Sequence, residues 1–112
     1  MRLNYNQRMS IASDLLTSAK LHARVDYDDD DDLLTLMLST AAADVAGAAE
    51  YTLPATGPEL PDDLRFAIVD HAAMLYDARG TDTERPVGLS LAASRIVARY
   101  RGVRASKPEA TE

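Results

Sequence analysis

Five consecutive aspartates are the residues of this chain most suggestive of chemistry, because clustered carboxylates suit a divalent cation. They form an acidic run from Asp28 to Asp32. A twelve-residue calcium loop needs glycine at its sixth place and glutamate at its twelfth. Counted from Asp26 the sixth place holds Asp31, and counted from Asp28 it holds Leu33, so the motif fails in both registers. The run is predicted to cap the helix that follows it, with docking against a basic partner surface as the alternative.

Other residue types that carry catalysis are present without the spacing that catalysis needs. His22 and His71 lie far apart in the sequence and have no local ligand pattern, so each is expected on a helix surface or packed in the core. No serine occupies a G-x-S-x-G elbow, and no glycine-rich phosphate loop occurs. The sequence therefore predicts no enzyme: no catalytic residue, no metal and no cofactor.

Basic residues concentrate near the carboxyl end, where Arg85 to Lys107 contains six basic residues and no acidic one. Arg95 and Arg99 stand four residues apart on one helix face and repel each other unless an anion lies between or beside them. The face is either solvated, or bound to an acidic protein surface, or in weak contact with nucleic-acid phosphates without sequence readout.

Composition limits the possible classes of protein. The chain has 112 residues, a net charge of −6 and no cysteine, which indicates one small domain that depends on packing or assembly rather than on disulfides. The negative charge argues against general coating of nucleic acid. No apolar run approaches the ~20 residues that span a bilayer, and the amino terminus lacks the apolar centre of a signal peptide. A soluble protein without membrane contact is expected.

The helix with the clearest boundaries extends from Leu60 to Gly80. Pro61 suits the first helical position, aspartates follow it beside the unpaired N–H groups of the first turn, and Gly80 provides the stop. Its apolar residues cover most of the circumference, so other helices or neighbouring subunits must surround it. The remaining polar stripe repeats every seven residues at Asp63, Asp70 and Asp77.

Apolar residues at helical spacing predict three further helices. The first extends from Ser13, as N-cap, to Arg24. The second follows the acidic run for about 22 residues at ~1.5 Å each, and its alanines serve either helix propensity or close packing at an interface. The fourth passes from Leu89 to Val103 with a basic polar edge. The predicted fold is all-α, a four-helix protomer with a long Ala-rich second helix and a flexible carboxy-terminal tail.

The predicted domain organisation has three parts: an amino-terminal arm over residues 1–12, a helical domain over 13–104 and a tail over 105–112. Residues 1–11 are compatible with either a short strand or a flexible arm. The tail has too few apolar groups to offset the conformational entropy of ordering, so it should be mobile until a partner binds it.

Two blocks and a short closing motif stand in an order typical of one family. LLTSAKLHARVDYDDDDDLLTLMLSTAA joins a helix with Lys20 and His22, an Arg-Val-Asp exit, the acidic run and an Ala-rich helix. LPDDLRFAIVDHAAMLYDARG is a Pro-initiated helix that ends in Leu-Tyr-x-x-Arg, and IVARYR lies in the terminal helix. Together, over roughly residues 13–104, they resemble the head–tail connector family of tailed bacteriophages, the small head-completion or adaptor proteins beneath the portal.

The resemblance implies a structural adaptor of the virion neck, assembled in the host bacterial cytoplasm. Its partners would be the portal protein, a downstream neck, stopper or tail protein, and further copies of itself in a cyclic, by resemblance dodecameric, ring. DNA would be cargo in the channel. The alternative is a small helical DNA-binding regulator that uses the basic fourth helix.

The resemblance also implies contact residues, which are hypotheses at this stage. The carboxy-terminal segment would reach the portal through Arg99, Arg101, Arg104 and Lys107. Contacts between subunits or with a docking partner would involve Asp28, Asp29, Asp30, Asp31, Asp32, Arg95, Tyr76 and Arg79.

Overall fold

The protein consists of α-helices over the part of the chain that the structure, a computed structural model, describes: residues 5–78 and 88–106, with side chains for residues 8–78 and 88–101. No strand occurs in these segments, so the predicted all-α class is confirmed. A 3-10 turn, Gly57–Glu59, lies in the loop before the third helix. The helices are α1 (Tyr5–Ala23), α2 (Asp31–Ala49), α3 (Asp62–Ala78) and α4 (Leu91–Ser106).

The two middle helices form the centre of the bundle. α2 and α3 pack against each other, α1 packs against both of them, and α4 packs against α3 and, less extensively, α2. The main core contains Leu38, Val45, Leu64 and Ile68, all essentially inaccessible to solvent. A smaller cluster of Val25, Leu34 and Tyr76 joins the end of α3 to the start of α2.

α1 begins earlier than the sequence pattern predicted. Residues 5–11 are helical rather than a strand or an arm, and the prediction of Ser13 as N-cap was wrong because it lies inside the helix. The physical reason is burial: Ile11 and Ala12 are fully buried and continue the apolar stripe of Leu15 and Ala19 by another turn. Residues 1–4 of the predicted arm lie outside the described residues.

Both α1 and α2 end in a left-handed residue that is not glycine. Arg24 has φ 61°, and the N–H of Val25 donates to the carbonyl of Lys20 at 2.8 Å. Glu50 has φ 56°, and the N–H of Tyr51 donates to the carbonyl of Ala46 at 2.9 Å. These six-to-one hydrogen bonds are Schellman motifs. The second one ends α2 at 19 residues, shorter than the predicted length.

α3 follows its prediction closely at the start. Pro61 stands just before the helix, and its carbonyl accepts the N–H of Arg65 at 3.0 Å, so Pro61 takes the N-cap place rather than the first helical position. The predicted stop, Gly80, lies outside the described residues. At the other end of the chain, residues 105 and 106 of the predicted tail still belong to α4, and the rest of the tail is outside the description.

α2 is long and apolar enough to be compared with a membrane-spanning helix. Among the described segments it is the one helix whose length and composition would suffice to cross a bilayer, with a mean hydropathy of 1.2. The core helix of a soluble protein meets the same criteria, and 44% of this stretch is buried inside the bundle. Leu34, Leu38 and Val45 lie in the core, so we interpret α2 as a core helix.

Candidate interaction surfaces

The acidic run is held to the end of α1 by one lysine. Lys20 Nζ lies 2.6 Å from Asp28 Oδ1 and 2.8 Å from Asp31 Oδ1. Hydrogen bonds to Asp28 and Asp31 raise the pKa of Lys20 above its ordinary value. The same bond to Lys20 lowers the pKa of Asp28. Two carboxylates that were predicted to contact a partner are therefore engaged within the protomer.

A third carboxylate of the run connects the start of α2 to the end of α3. The hydroxyl of Tyr76, a buried side chain, donates to the carboxylate of Asp30. The Tyr27 hydroxyl lies 3.1 Å from the Tyr76 oxygen and 3.5 Å from Asp30 Oδ2. Asp30 occupies the N-cap place of α2, but its side chain makes no capping bond. Tyr76 thus has a role inside the protomer rather than at its surface.

The other two members of the run face outward. Asp29 and Asp32 are exposed and make no hydrogen bond or ion pair with the residues described. Asp32 also lies in the first turn of α2, where its charge complements the helix dipole. No group of three or more histidine or acidic side chains in the described segments could hold a metal ion.

A polar network that sequence reasoning missed joins α1, α3 and the start of α4. Asp70 Oδ1 lies 2.9 Å from His22 Nε2, and Asp70 Oδ2 accepts the Ser90 hydroxyl at 2.7 Å. Ser90 is the N-cap of α4, since its Oγ accepts the N–H of Ala93 at 3.3 Å. The polar stripe through Asp70 was visible in the sequence, but its partners come from distant segments.

The same serine fixes the tautomer of a buried histidine. His71 is 2% exposed, and its Nδ1 accepts the N–H of Ser90 at 3.2 Å. The ring proton therefore lies on Nε2, which donates to Asp44 Oδ2 of α2 at 3.2 Å. The expectation of surface or packed histidines is confirmed, with His22 exposed on α1 and His71 packed at the junction of α2, α3 and α4.

One arginine of the basic helix has its anion within the protomer. Arg99 Nη2 lies 3.4 Å from Asp63 Oδ2, and the Tyr100 hydroxyl donates to Asp63 Oδ1 at 2.9 Å. Burial, followed by the bond to Asp63, raises the pKa of Tyr100 to about 12. The ring of Tyr100 also meets Tyr51 edge to face, with centroids 6.0 Å apart. The inner side of α4 is thus anchored to the rest of the bundle.

The outer side of α4 carries charge without such partners. Arg95 and Arg101 are exposed and make no hydrogen bond or ion pair with the residues described. The side chain of Arg104 is not described, and Lys107 and Arg79 lie outside the described residues. Of the predicted contact residues that can be located, Arg95, Arg101, Asp29 and Asp32 therefore remain available to a partner.

A groove of about 490 Å³ lies between α1, the 3-10 turn and α3. Its apolar wall includes Leu21 and Phe66, which are 76% and 47% exposed. Near Gly57 the groove is closed by a tight contact, because the Gly57 N–H donates to Asp14 Oδ2 at 2.9 Å. The exposure of Phe66 shows that other helices of the protomer do not fully surround α3.

Comparison with known proteins identifies the family. The family model described as phage gp6-like head-tail connector protein matches residues 13–101 of the chain. No match was found among curated proteins or solved structures. The matched stretch contains the acidic run, all of α2 and α3, and the anchored part of α4. The chain therefore belongs to the phage gp6-like head-tail connector family.

Proposed function

We propose that this protein forms a cyclic ring beneath the portal of a tailed phage, extends the DNA channel there and receives the next neck or tail component. Membership of the connector family is the observation that carries the proposal, and it makes the protein a structural component of the virion. The ring, the portal contact and assembly in the host cytoplasm go beyond that membership. In this role the protein needs neither catalysis nor a cofactor, and DNA passes as cargo.

The outer side of α4 supports a portal contact at the carboxyl end of the chain. Arg101 is exposed there, and Arg104 and Lys107 follow it in the sequence. Arg99 is a weaker candidate than its position suggested, because Asp63 partly neutralises it. Exposed arginines can pair with carboxylates in a bidentate geometry. The proposed portal-contact set is therefore Arg101, Arg104 and Lys107, with Arg99 in a secondary place.

The DNA-binding alternative gains no support. Connector membership does not favour a regulator, and the pairing of Arg99 with Asp63 removes one of the charges that such a helix would offer to phosphates. The net charge of −6 opposes tight binding to DNA and suits a channel wall past which DNA must move.

Native mass spectrometry of the protein co-expressed with the portal protein encoded beside it would test the proposal. We expect a defined number of copies on each portal ring. A full-length variant with Arg101→Gln, Arg104→Gln and Lys107→Gln should lose capture because the basic surface is removed.

Arg24→Gln is the matched control, since Arg24 is exposed and distant from α4 in the sequence, and it should be captured normally. Wild-type protein that stays monomeric and ignores the portal would contradict the connector role. Salt-sensitive binding of a DNA duplex by that monomer would then favour the alternative.

A further inference from the structure

α4 presents an outer face with an apolar strip and a basic edge. Leu91 is 70% exposed at its amino end, and Ala98 is exposed two turns later on the same face. Arg95, which is exposed, flanks this strip on one side, as the 3.6-residue period requires. We refer to these three residues as the α4 face.

α2 presents an outer face of the opposite charge. Leu36 is 57% exposed at its centre, and the exposed Thr40 and Gly47 continue the strip. Asp32 lies at the amino end of this strip, exposed and without a partner among the described residues. Asp44, whose carboxylate accepts the proton of His71 Nε2, lies at one edge. We refer to these five residues as the α2 face. The small side chains along it would let a neighbouring helix approach closely.

We infer that the α4 face of one protomer packs against the α2 face of a second copy of this chain. With the two helices antiparallel, Leu91 would lie against Leu36, and Arg95 would oppose the carboxylate of Asp32. The contact joins two different surfaces, so it is head-to-tail and can propagate around a closed ring. Charge complementarity sets the register and favours this pairing over like faces. The inference rests on the proposed ring and assigns its interface.

Cross-linking can locate the contact because the chain has no cysteine of its own. Proteins carrying Leu36→Cys and Leu91→Cys, with different affinity tags, are mixed, assembled with the portal and treated with a bis-maleimide. Packed helices lie about 8–10 Å apart, within reach of such a reagent. Mixed pairs should then outnumber both kinds of like pairs, and a protein with both substitutions should give a ladder of covalent oligomers.

Ser18→Cys, on the exposed side of α1, is the matched control. Mixed with either of the two cysteine variants, it should give no excess of mixed cross-linked pairs. An excess of cross-links between two copies of the same variant would overturn the interface. Mixed pairs that are no more frequent than those formed with Ser18→Cys would overturn it as well. If portal rings still hold a defined number of copies in that case, the connector function stands and only the interface is wrong. Absence of any assembly on the portal would remove both.

A charge exchange gives an independent measurement. Arg95→Glu and Asp32→Arg should each lower the fraction of assembled protein, because each places like charges against each other. The double variant should recover assembly, since the pair is restored with opposite signs. Arg24→Glu and Asp77→Arg, at exposed positions on α1's end and on α3, are the controls and should leave assembly unchanged. Failure of the double variant to recover, with its helical content intact, would also overturn the interface.

Discussion

The acidic run and the basic helix α4 look equivalent in the sequence, but the protomer uses them differently. Three of the five carboxylates, those of Asp28, Asp30 and Asp31, bind Lys20 or Tyr76. On α4, Arg99 is paired with Asp63, whereas Arg95 and Arg101 point to solvent. A dense cluster of like charge can thus stabilise a fold, while a sparser one remains available for partners.

The difference follows from where the opposite charge lies. Lys20 lies about one turn before the end of α1. The Schellman motif reverses the chain at that end, so the acidic run that follows lies against Lys20. α4 is the last of the described helices and packs its inner side on α3, so no later described element covers its outer side. We therefore expect changes at Asp28, Asp30 and Asp31 to affect stability, and changes on the outer side of α4 to affect assembly.

The largest effect on stability should come from Tyr76, which belongs to both the small core cluster and the acidic run. Tyr76→Ala should lower the free energy of unfolding by ~3–5 kcal/mol because it leaves a cavity. Tyr76→Phe should cost ~1–3 kcal/mol because the Asp30 carboxylate loses a donor. Urea unfolding measures both. A Tyr76→Phe protein as stable as wild type would mean that the hydroxyl contact does not hold the run.

The inner side of α4 should weaken at alkaline pH. The pKa of Tyr100 is raised from 10.0 to about 12 in the folded state. Between these values the unfolded chain releases the proton first, so stability is full below pH 10 and falls as pH rises toward 12, by about 1 kcal/mol, because solvent screens the partly exposed hydroxyl. Unfolding measured across this range should show the loss in wild type and a smaller loss in Tyr100→Phe. Identical profiles would contradict the assignment.

Loss of the bond between Lys20 and Asp28 should lower the free energy of unfolding by a smaller amount. Its pH dependence is opposite to that of Tyr100, because it appears at acid pH. Lys20 lowers the pKa of Asp28 in the folded state, so the bond's contribution is present above the ordinary value of 3.8 and disappears as pH falls through the lowered pKa. Lys20→Met should be less stable near neutrality and should lack this part of the acid dependence. Parallel acid titrations of the two proteins would test it, and superimposable slopes would contradict it.

The smallest effect on stability should come from the α4 face. Arg95→Glu should change the free energy of unfolding by no more than about 0.5 kcal/mol, the usual range for an exposed position, because Arg95 has no partner among the described residues. Thermal and urea unfolding measure this directly. A large destabilisation would show that Arg95 supports the fold, and would remove the contrast between α4 and the acidic run.

Local sequence signals account for most of the helices but not for their tertiary contacts. The apolar spacing predicted α2, α3 and α4 and the all-α class. It missed the first turns of α1, because the burial of Ile11 and Ala12 depends on the assembled core. The ends at Arg24 and Glu50 were also difficult to place, since neither is the glycine that a left-handed cap usually has.

The candidate surfaces were predictable as charged segments, and their roles were not. Nothing local distinguishes Asp30, which binds Tyr76 across 46 positions, from Asp29, which is exposed. The network of His71 with Ser90 and Asp44 likewise joins residues 19 and 27 positions apart. Such pairings require the packed arrangement of α2, α3 and α4, which residue spacing alone does not specify.

The contrast between the two regions is tested most directly by matched charge reversals in the presence of the portal. Arg101→Glu and Asp29→Lys each change one exposed side chain without a partner among the described residues. Native mass spectrometry of each protein co-expressed with the portal should show that Arg101→Glu loses capture while Asp29→Lys is captured as wild type. Capture lost by Asp29→Lys and kept by Arg101→Glu would contradict the account, because the acidic run would then be the partner surface.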